Sequence, residues 1–299
     1  MNGPLIALVL LTLLSPSALL AAACCGSNFA IPSLIAGDER AQVTTSLSNS
    51  STDRDVSATG EWTHRSTAEL SQTFKIEAAH IFADRWQGSL SVPVLSRERS
   101  GQRSSGLADV QMGVGYEILP DWDYHPYRPK GILFSSVTVP TGQSSFEAED
   151  LDGLEARGQG FWALGAGLLL TKTVHRWDFN SSLEIHHSFN KNVSRSDFEG
   201  RLEPGWGGTF GIGAGFNQGD LRIGTSLSSA YEDPIASRGT ISSDGSLKRF
   251  TTTTLMASYL FQEVWAATVS FSDQSWFGSP INTPLAQTAM LQLQRRWSR

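Results

Sequence analysis

GQGFWALGAGLLLTKTVHRWDFNSSLEIHHSF, residues 158–189, is the stretch that decides the fold. It contains two arms, 161–170 and 177–189, joined by a short turn. In the second arm an apolar face alternates with a polar one: Trp177, Phe179, Leu183 and Ile185 lie opposite Asp178, Asn180, Ser182 and Glu184. Since successive residues of a strand point to opposite faces, this pattern predicts a two-stranded hairpin.

The length of the arms indicates whether the strands belong to a soluble sheet or cross a membrane. Strands of soluble sheets have about 5–6 residues, whereas a tilted transmembrane strand needs about 9–11. Each arm has ten residues or more, and aromatic side chains lie near the arm ends, where the interfacial girdle of a membrane barrel lies. The hairpin therefore favours a membrane-spanning sheet.

The rest of the chain repeats this hairpin. Further predicted strands are 42–49, 72–82, 86–94, 109–118, 132–139, 206–216, 221–231, 250–261, 264–273 and 289–297. Both faces of 132–139 are apolar, so its register cannot be assigned from sequence. Short turns alternate with polar loops, and 48–69, 190–203 and 233–246 are predicted as loops. This asymmetry and a count of about twelve strands are typical of outer-membrane barrels.

The predicted fold class is therefore all-β: a transmembrane antiparallel up-and-down β-barrel of about 12 strands, over residues 41–299. Strands in a bilayer must close on themselves, because an open edge would leave backbone groups unpaired in hydrocarbon. The predicted location is the outer membrane of a Gram-negative bacterium.

Composition excludes several other classes. The chain is 40% hydrophobic and 17% charged, with a mean hydropathy of -0.17. A helical membrane protein would be more apolar and a disordered chain less so. The net charge of -6 and the lack of a basic cluster argue against a nucleic-acid partner.

The amino-terminal residues predict export. Residues 1–23 are interpreted as a signal peptide, because an apolar run ends in small residues, although no Lys or Arg precedes it. A membrane anchor is the alternative interpretation. Leu20 to Cys24 resembles a loose lipobox, so lipidation of Cys24 and ordinary cleavage after Ala23 are both retained. Residues 24–40 are predicted to be a periplasmic connector.

Charged side chains fall on the faces opposite the apolar ones. The residues predicted to face the lumen are Lys75, Glu77, Glu117, Asp178, Glu184, His186, Arg222, Glu232 and Arg296. Mixed signs inside a barrel fit either a wet channel or a network of charges that pair with one another.

Candidate chemistry is sparse. His186 and Ser188 share a face, as in the His-x-Ser pair of outer-membrane phospholipase A, but alternation directs them inward, away from lipid. The acidic loop with Glu147, Glu149, Asp150 and Asp152 lacks the spacing of an EF-hand and is interpreted as solvated. We predict no catalytic, metal or cofactor site and no enzymatic activity.

Three short motifs resemble a known family. SGLADV at 105–110, VPTG at 139–142 and GQGFW at 158–162 are similar to motifs of the family named for the meta-pathway of phenol degradation, the MetA-pathway transporter-like family. The resemblance covers about the middle third of the chain. It implies an outer-membrane barrel that passes small, often hydrophobic compounds.

The sequence thus predicts an outer-membrane channel or transporter for small solutes, hydrophobic ones included. Two alternatives are a lipid hydrolase using His186 and Ser188, and a plugged structural or adhesive barrel acting through its outer loops. The expected partners are outer-membrane lipids, a small-molecule solute and the barrel-assembly machinery, because the last strand carries the near-terminal aromatic residue Trp297.

Overall fold

The structure, a computed structural model, describes residues 31–121, 125–148, 153–194, 199–240 and 242–298. Within these ranges the strands are β1 (Glu39–Val56), β2 (Trp62–Ala83), β3 (Trp86–Arg99), β4 (Gln102–Leu107), β5 (Val110–Leu119), β6 (Lys130–Val139), β7 (Ala163–Val174), β8 (Trp177–Ser188), β9 (Lys191–Ser194), β10 (Glu199–Glu203), β11 (Trp206–Gln218), β12 (Leu221–Glu232), β13 (Ala236–Gly239), β14 (Lys248–Phe261), β15 (Trp265–Asp273) and β16 (Thr283–Ser298). Among the described residues, no helix is long and apolar enough to cross a membrane.

Twelve of these described strands close into an antiparallel barrel. β1 pairs with β2 on one side and with β16 on the other, so that Ala41 lies opposite both His80 and Trp297. The order then runs through β15, β14, β12, β11, β8, β7, β6, β5 and β3, and β3 pairs back with β2. Closure gives every barrel strand two neighbours, which removes the exposed sheet edges. The predicted fold class is confirmed.

The distribution of apolar residues is the reverse of that in a soluble protein. In β1 the polar residues Gln42, Thr44 and Ser46 are buried, whereas Val43 and Leu47 are exposed. The same inversion holds around the barrel, where exposed apolar residues include Phe74, Ile76, Leu133, Leu164, Leu183, Ile185, Ile212, Ile223, Val269 and Leu291. A belt of this kind is stable only against hydrocarbon.

The two ends of the barrel differ. We call one end the short-turn end. Tight turns there link β2 to β3, β7 to β8, β11 to β12 and β14 to β15. β1 begins and β16 ends at this same end. Asp84, His175 and Gly219 adopt positive φ in these turns, a conformation that reverses the chain within two residues. At the opposite, long-loop end the connections carry β4, β9, β10 and β13.

The prediction that residues 48–69 form a loop is wrong. β1 continues to Val56 and β2 begins at Trp62, so the hairpin extends beyond the apolar belt. Arg65 of β2 links the two strands of this extension by pairing with Asp55 of β1 at 2.6 Å, and it also pairs with Glu69 of its own strand at 3.0 Å. Its residues are mostly polar, so the extension lacks the alternation of apolar and polar residues that identifies membrane strands.

The loops predicted over 190–203 and 233–246 contain a small sheet. β10 pairs with β9 and with β13, which gives a three-stranded antiparallel cap over the long-loop end. Leu202, Val193 and Phe161 form its buried core, with Phe146 and Ile235 packed against them. The strands have four or five residues each, which is too short for a clear sequence pattern.

Candidate functional site: the barrel interior

The first described residues lie inside the barrel. Residues 31–38, which we call the plug, run along the inner wall at the short-turn end before β1 begins. Leu34 and Ala36 pack against Ile132, Phe134 and Leu169 of the inner wall. The plug is thus anchored by apolar contacts on an otherwise polar inner surface.

Hydrogen bonds hold the plug backbone in register. The Ile35 amide donates to the Gln87 side chain at 2.6 Å, and the Lys130 ammonium donates to the Gly37 carbonyl at 3.2 Å. Gly115 leaves space for the plug, since a Cβ there would lie 3.0 Å from Leu34. The described part of the predicted periplasmic connector is therefore a lumen segment, because Leu34 and Ile35 are apolar enough to require burial. The signal peptide and Cys24 lie outside the described residues.

The residues predicted to face the lumen lie on the buried side of the wall and are engaged in ion pairs. The distances are 3.0 Å for Lys75–Glu77, 3.7 Å for Lys130–Glu117, 2.6 Å for Arg222–Asp178, 3.0 Å for His186–Glu184, 3.1 Å for His186–Glu232 and 3.2 Å for Arg296–Glu39. Two of the partners, Lys130 and Glu39, are not among the nine residues predicted from the sequence. The charges balance one another rather than forming a track of one sign.

The bidentate pair between Arg222 and Asp178 passes over a glycine. Arg222 of β12 and Asp178 of β8 are separated by β11, and their bidentate contact has distances of 2.9 and 2.6 Å. Gly215 of β11 lies beneath the pair, and a Cβ there would be 2.6 Å from both side chains. Gly213 makes room for Asn180 in the same way. The alternating glycines of β11 thus let polar side chains of neighbouring strands meet over the wall.

The second cluster lies near the long-loop end. His186 is 1% exposed, its Nδ1 lies 3.0 Å from Glu184, and its Nε2 lies 3.1 Å from Glu232. Both ring nitrogens therefore already contact carboxylates, so neither is oriented to activate the Ser188 hydroxyl. Ser188 is also buried, and the pair is not presented to lipid as a hydrolase would require.

A cavity of about 330 Å³ lies directly above this cluster, between the barrel rim and the cap. Its apolar wall includes Phe146, Phe161 and Ile235, and its polar wall includes Glu232 and Lys248. The volume is at the lower end of the range of about 300–1,000 Å³ for small-molecule sites. This cavity has no signature in the sequence, because its residues come from five separate loops or strand ends.

The three motifs that resemble the phenol-degradation family meet at one carboxylate. Asp109 accepts hydrogen bonds from the amides of Gly142 at 3.0 Å, Gln159 at 2.7 Å and Gly160 at 3.2 Å. Burial raises the pKa of Asp109, although these three donors oppose the rise. Thr141 adds a bond to the Ala108 carbonyl at 2.6 Å. The motifs therefore form a clamp that ties the loop before β5 to the loop between β6 and β7.

Glu147 belongs to the same region. It pairs with Lys191 at 2.7 Å and accepts a hydrogen bond from the Ser144 hydroxyl at 2.9 Å. Burial alone would raise the pKa of Glu147, but the bonds from Lys191 and Ser144 outweigh it, and the pKa is lowered. The other acidic residues considered for calcium, 149, 150 and 152, lie outside the described residues.

Comparison with known proteins places the fold. No protein-family model matches the chain, and no curated protein matches its sequence. An outer-membrane channel from Pseudomonas putida F1 aligns with a TM-score of 0.70 and 14% identity over 89% of this chain and 97% of that one. The NanC porin aligns at 0.46 with 10% identity over 83% and 98%, and the TodX monoaromatic hydrocarbon channel at 0.43 with 9% identity over 88% and 91%.

At 14% identity the alignment with the Pseudomonas putida channel establishes the fold alone. The predicted outer-membrane location is in keeping with the closed barrel and its apolar belt. The chain therefore has the 12-stranded barrel architecture found in Gram-negative outer-membrane channels.

Proposed function

We propose that the protein is a passive outer-membrane channel for small solutes, with the short-turn end in the periplasm and the long-loop end outside. The observation that carries this proposal is the construction of the interior. The wall is lined by polar residues such as Thr44, Ser182 and Thr254, while a separate segment, the plug, packs against the wall at the short-turn end. In such a barrel a docked segment narrows the lumen, whereas in a filled barrel the side chains of the wall close it. A narrowed lumen supports restricted passage of solutes.

The size of the solute follows from this narrowing. The plug, the Arg222–Asp178 pair and the His186 cluster all lie on the inner side of the wall, so we expect passage to be restricted to small molecules. Apolar surface lines the cavity above these polar groups, at Phe146 and Phe161, whereas Ile132 and Phe134 below them are covered by the plug. This distribution supports solutes that have an apolar body, in agreement with the resemblance of the three motifs.

The Asp109 clamp supports the proposed kinship with the phenol-degradation family. The first motif supplies the carboxylate of Asp109, and the other two, up to fifty residues away, supply the backbone amides that bind it, which gives their joint presence a structural reason. The apolar belt supports outer-membrane lipids as the surroundings of the barrel. Trp297 near the end of β16 supports recognition by the barrel-assembly machinery.

Liposome swelling tests the proposal. The refolded chain beginning at Cys24 is reconstituted into liposomes, which are diluted into uncharged solutes of increasing size, from glycerol through a pentose to a trisaccharide. We expect swelling with the smallest solutes, a sharp decline with size, and none in protein-free liposomes. Swelling that never exceeds the protein-free rate, with a folded barrel, would refute a channel.

The competing proposal is a sealed barrel that acts through its outer loops. The plug and the three-stranded cap favour it, because one lies inside the short-turn end and the other at the long-loop end of the barrel. It predicts that neither swelling nor ion current occurs and that changes to the cap alter partner binding instead.

A further inference from the structure

The cavity beneath the cap contains a lysine side chain, Lys248, that forms no ion pair with the described residues around it. Lys248, the first residue of β14, lines this cavity and is partly buried. Its ammonium lies 5.5 Å from the ring centre of Phe250, and it has no ion pair with any described residue. The charge of Glu232 acts on Lys248 without forming an ion pair with it, so the partly buried ammonium has no directly bound anion, and burying it in that state is costly.

The carboxylates in the same cavity are already engaged. Glu232 lies opposite Lys248 across the β12–β14 pair but contacts His186 at 3.1 Å. Asp233 accepts bonds from the Trp206 amide at 2.9 Å and the Tyr231 hydroxyl at 2.8 Å. Lys248 is therefore the charged group in the cavity that no carboxylate binds directly. An ammonium is complemented by an anion, so the ligand group that fits it is anionic.

The opposite wall defines the body of the ligand. Phe146 and Phe161 stand edge to face, with ring centroids 6.3 Å apart, and Pro204 and Ile235 complete an apolar surface. A flat aromatic or short aliphatic group packs well against such a wall. A volume of about 330 Å³ excludes long chains and oligosaccharides from complete enclosure.

We propose that this cavity is an entry site for small amphipathic carboxylates, whose anionic group is bound by Lys248 and whose apolar body packs on Phe146 and Phe161. The inference rests on the proposed channel function, for which the cavity forms the outer mouth. The site selects for charge before the solute reaches the paired charges of the lumen.

Calorimetric titration tests the site with three probes of one shape: benzoate, benzamide and benzylamine. The refolded chain is kept in a nonionic detergent. A charge-assisted hydrogen bond discriminates by about tenfold, so we expect benzoate to bind about ten times more tightly than benzamide, and benzylamine more weakly than either. Equal affinity for benzoate and benzamide, or a preference for benzylamine, would overturn the assignment.

Variants locate the anionic contact. Lys248→Met should abolish the preference for benzoate, and Lys248→Arg should keep it. Arg249→Met is the matched control, since it removes a neighbouring exposed charge and should leave the preference unchanged. An unchanged preference in Lys248→Met, with the barrel still folded by heat-modifiable gel mobility, would contradict the proposal. If Lys248→Met does not fold, the comparison of probes on the unmodified chain still decides.

A measurement of ion current separates this inference from the proposed function. If the wild-type protein conducts ions in planar bilayers but binds benzoate and benzamide equally in the calorimetric titration, the channel proposal stands and the carboxylate site is overturned. Wild type that binds benzoate but neither conducts nor passes solutes would keep the site and overturn the channel.

Discussion

Replacing Leu34 and Ile35 together by aspartate should release the plug and enlarge the channel. Both side chains are almost fully buried, at 3% and 1% exposure. Burial of one such side chain contributes about 1.5–3 kcal/mol. The pair therefore contributes about 3–6 kcal/mol, and losing it lowers the ratio of docked to released plug by a factor of about 10²–10⁴. The cost of burying two carboxylates adds to this.

The assay is single-channel conductance in planar bilayers, in which the double variant should give larger current steps than wild type. Arg40→Asp is the matched control, because it changes the formal charge by the same two units at an exposed position near the same mouth. Wild-type conductance is expected for this control.

Release of the plug is measured independently. In a Cys24→Ser/Cys25→Ser background, which removes both native cysteines, Ser33→Cys reports access of a membrane-impermeant maleimide. The reasoning is refuted if position 33 becomes reactive while conductance stays at the wild-type value. It is also refuted if position 33 stays protected despite both aspartates.

Three further predictions concern the lumen and the loops. Arg222→Met should lower the free energy of unfolding in lipid vesicles by about 3–5 kcal/mol, because it leaves Asp178 buried without its ion-pair partner. Adding Asp178→Asn to the same chain should recover part of this loss. If urea titrations show that the effects of the two substitutions simply add, the ion pair is contradicted. Asp109→Ala should destabilise the clamp by about 2–4 kcal/mol, because it removes the shared acceptor of three amides; trypsin should then cut faster at Arg157, and an unchanged cutting rate would count against the clamp. Because the pKa of Glu147 is lowered, its contribution to stability is complete above the ordinary carboxyl pKa and is lost as pH falls through the lowered value. A nitroxide at Ser194→Cys should therefore gain mobility in acid, and Lys191→Met should make that mobility independent of pH.

The membrane-spanning part of the fold was accessible from sequence. Alternation such as Trp177 and Phe179 against Asp178 and Asn180 is imposed by the bilayer, which requires apolar side chains on one face and tolerates polar ones on the other. The strand 132–139 shows the limit of this signal. Its inner residues Ile132 and Phe134 are apolar because they receive the plug, and the alternation that would reveal the register is erased.

The candidate site was less accessible. The sequence predicted which faces carry Asp178, Arg222 and His186, but pairing depends on strand neighbours and register, which a single sequence does not specify. The plug was missed because a short apolar segment before a strand has no period of its own. The cavity at Lys248 was missed since it is assembled from residues far apart in the chain.

Single-channel recording of the unmodified refolded chain tests the central claim most directly. A channel narrowed by a docked plug predicts discrete, ohmic current steps that are small for a 12-stranded barrel. A correctly folded barrel that inserts into the bilayer, gives no steps and passes no solute in liposome swelling would contradict the account and favour a sealed barrel.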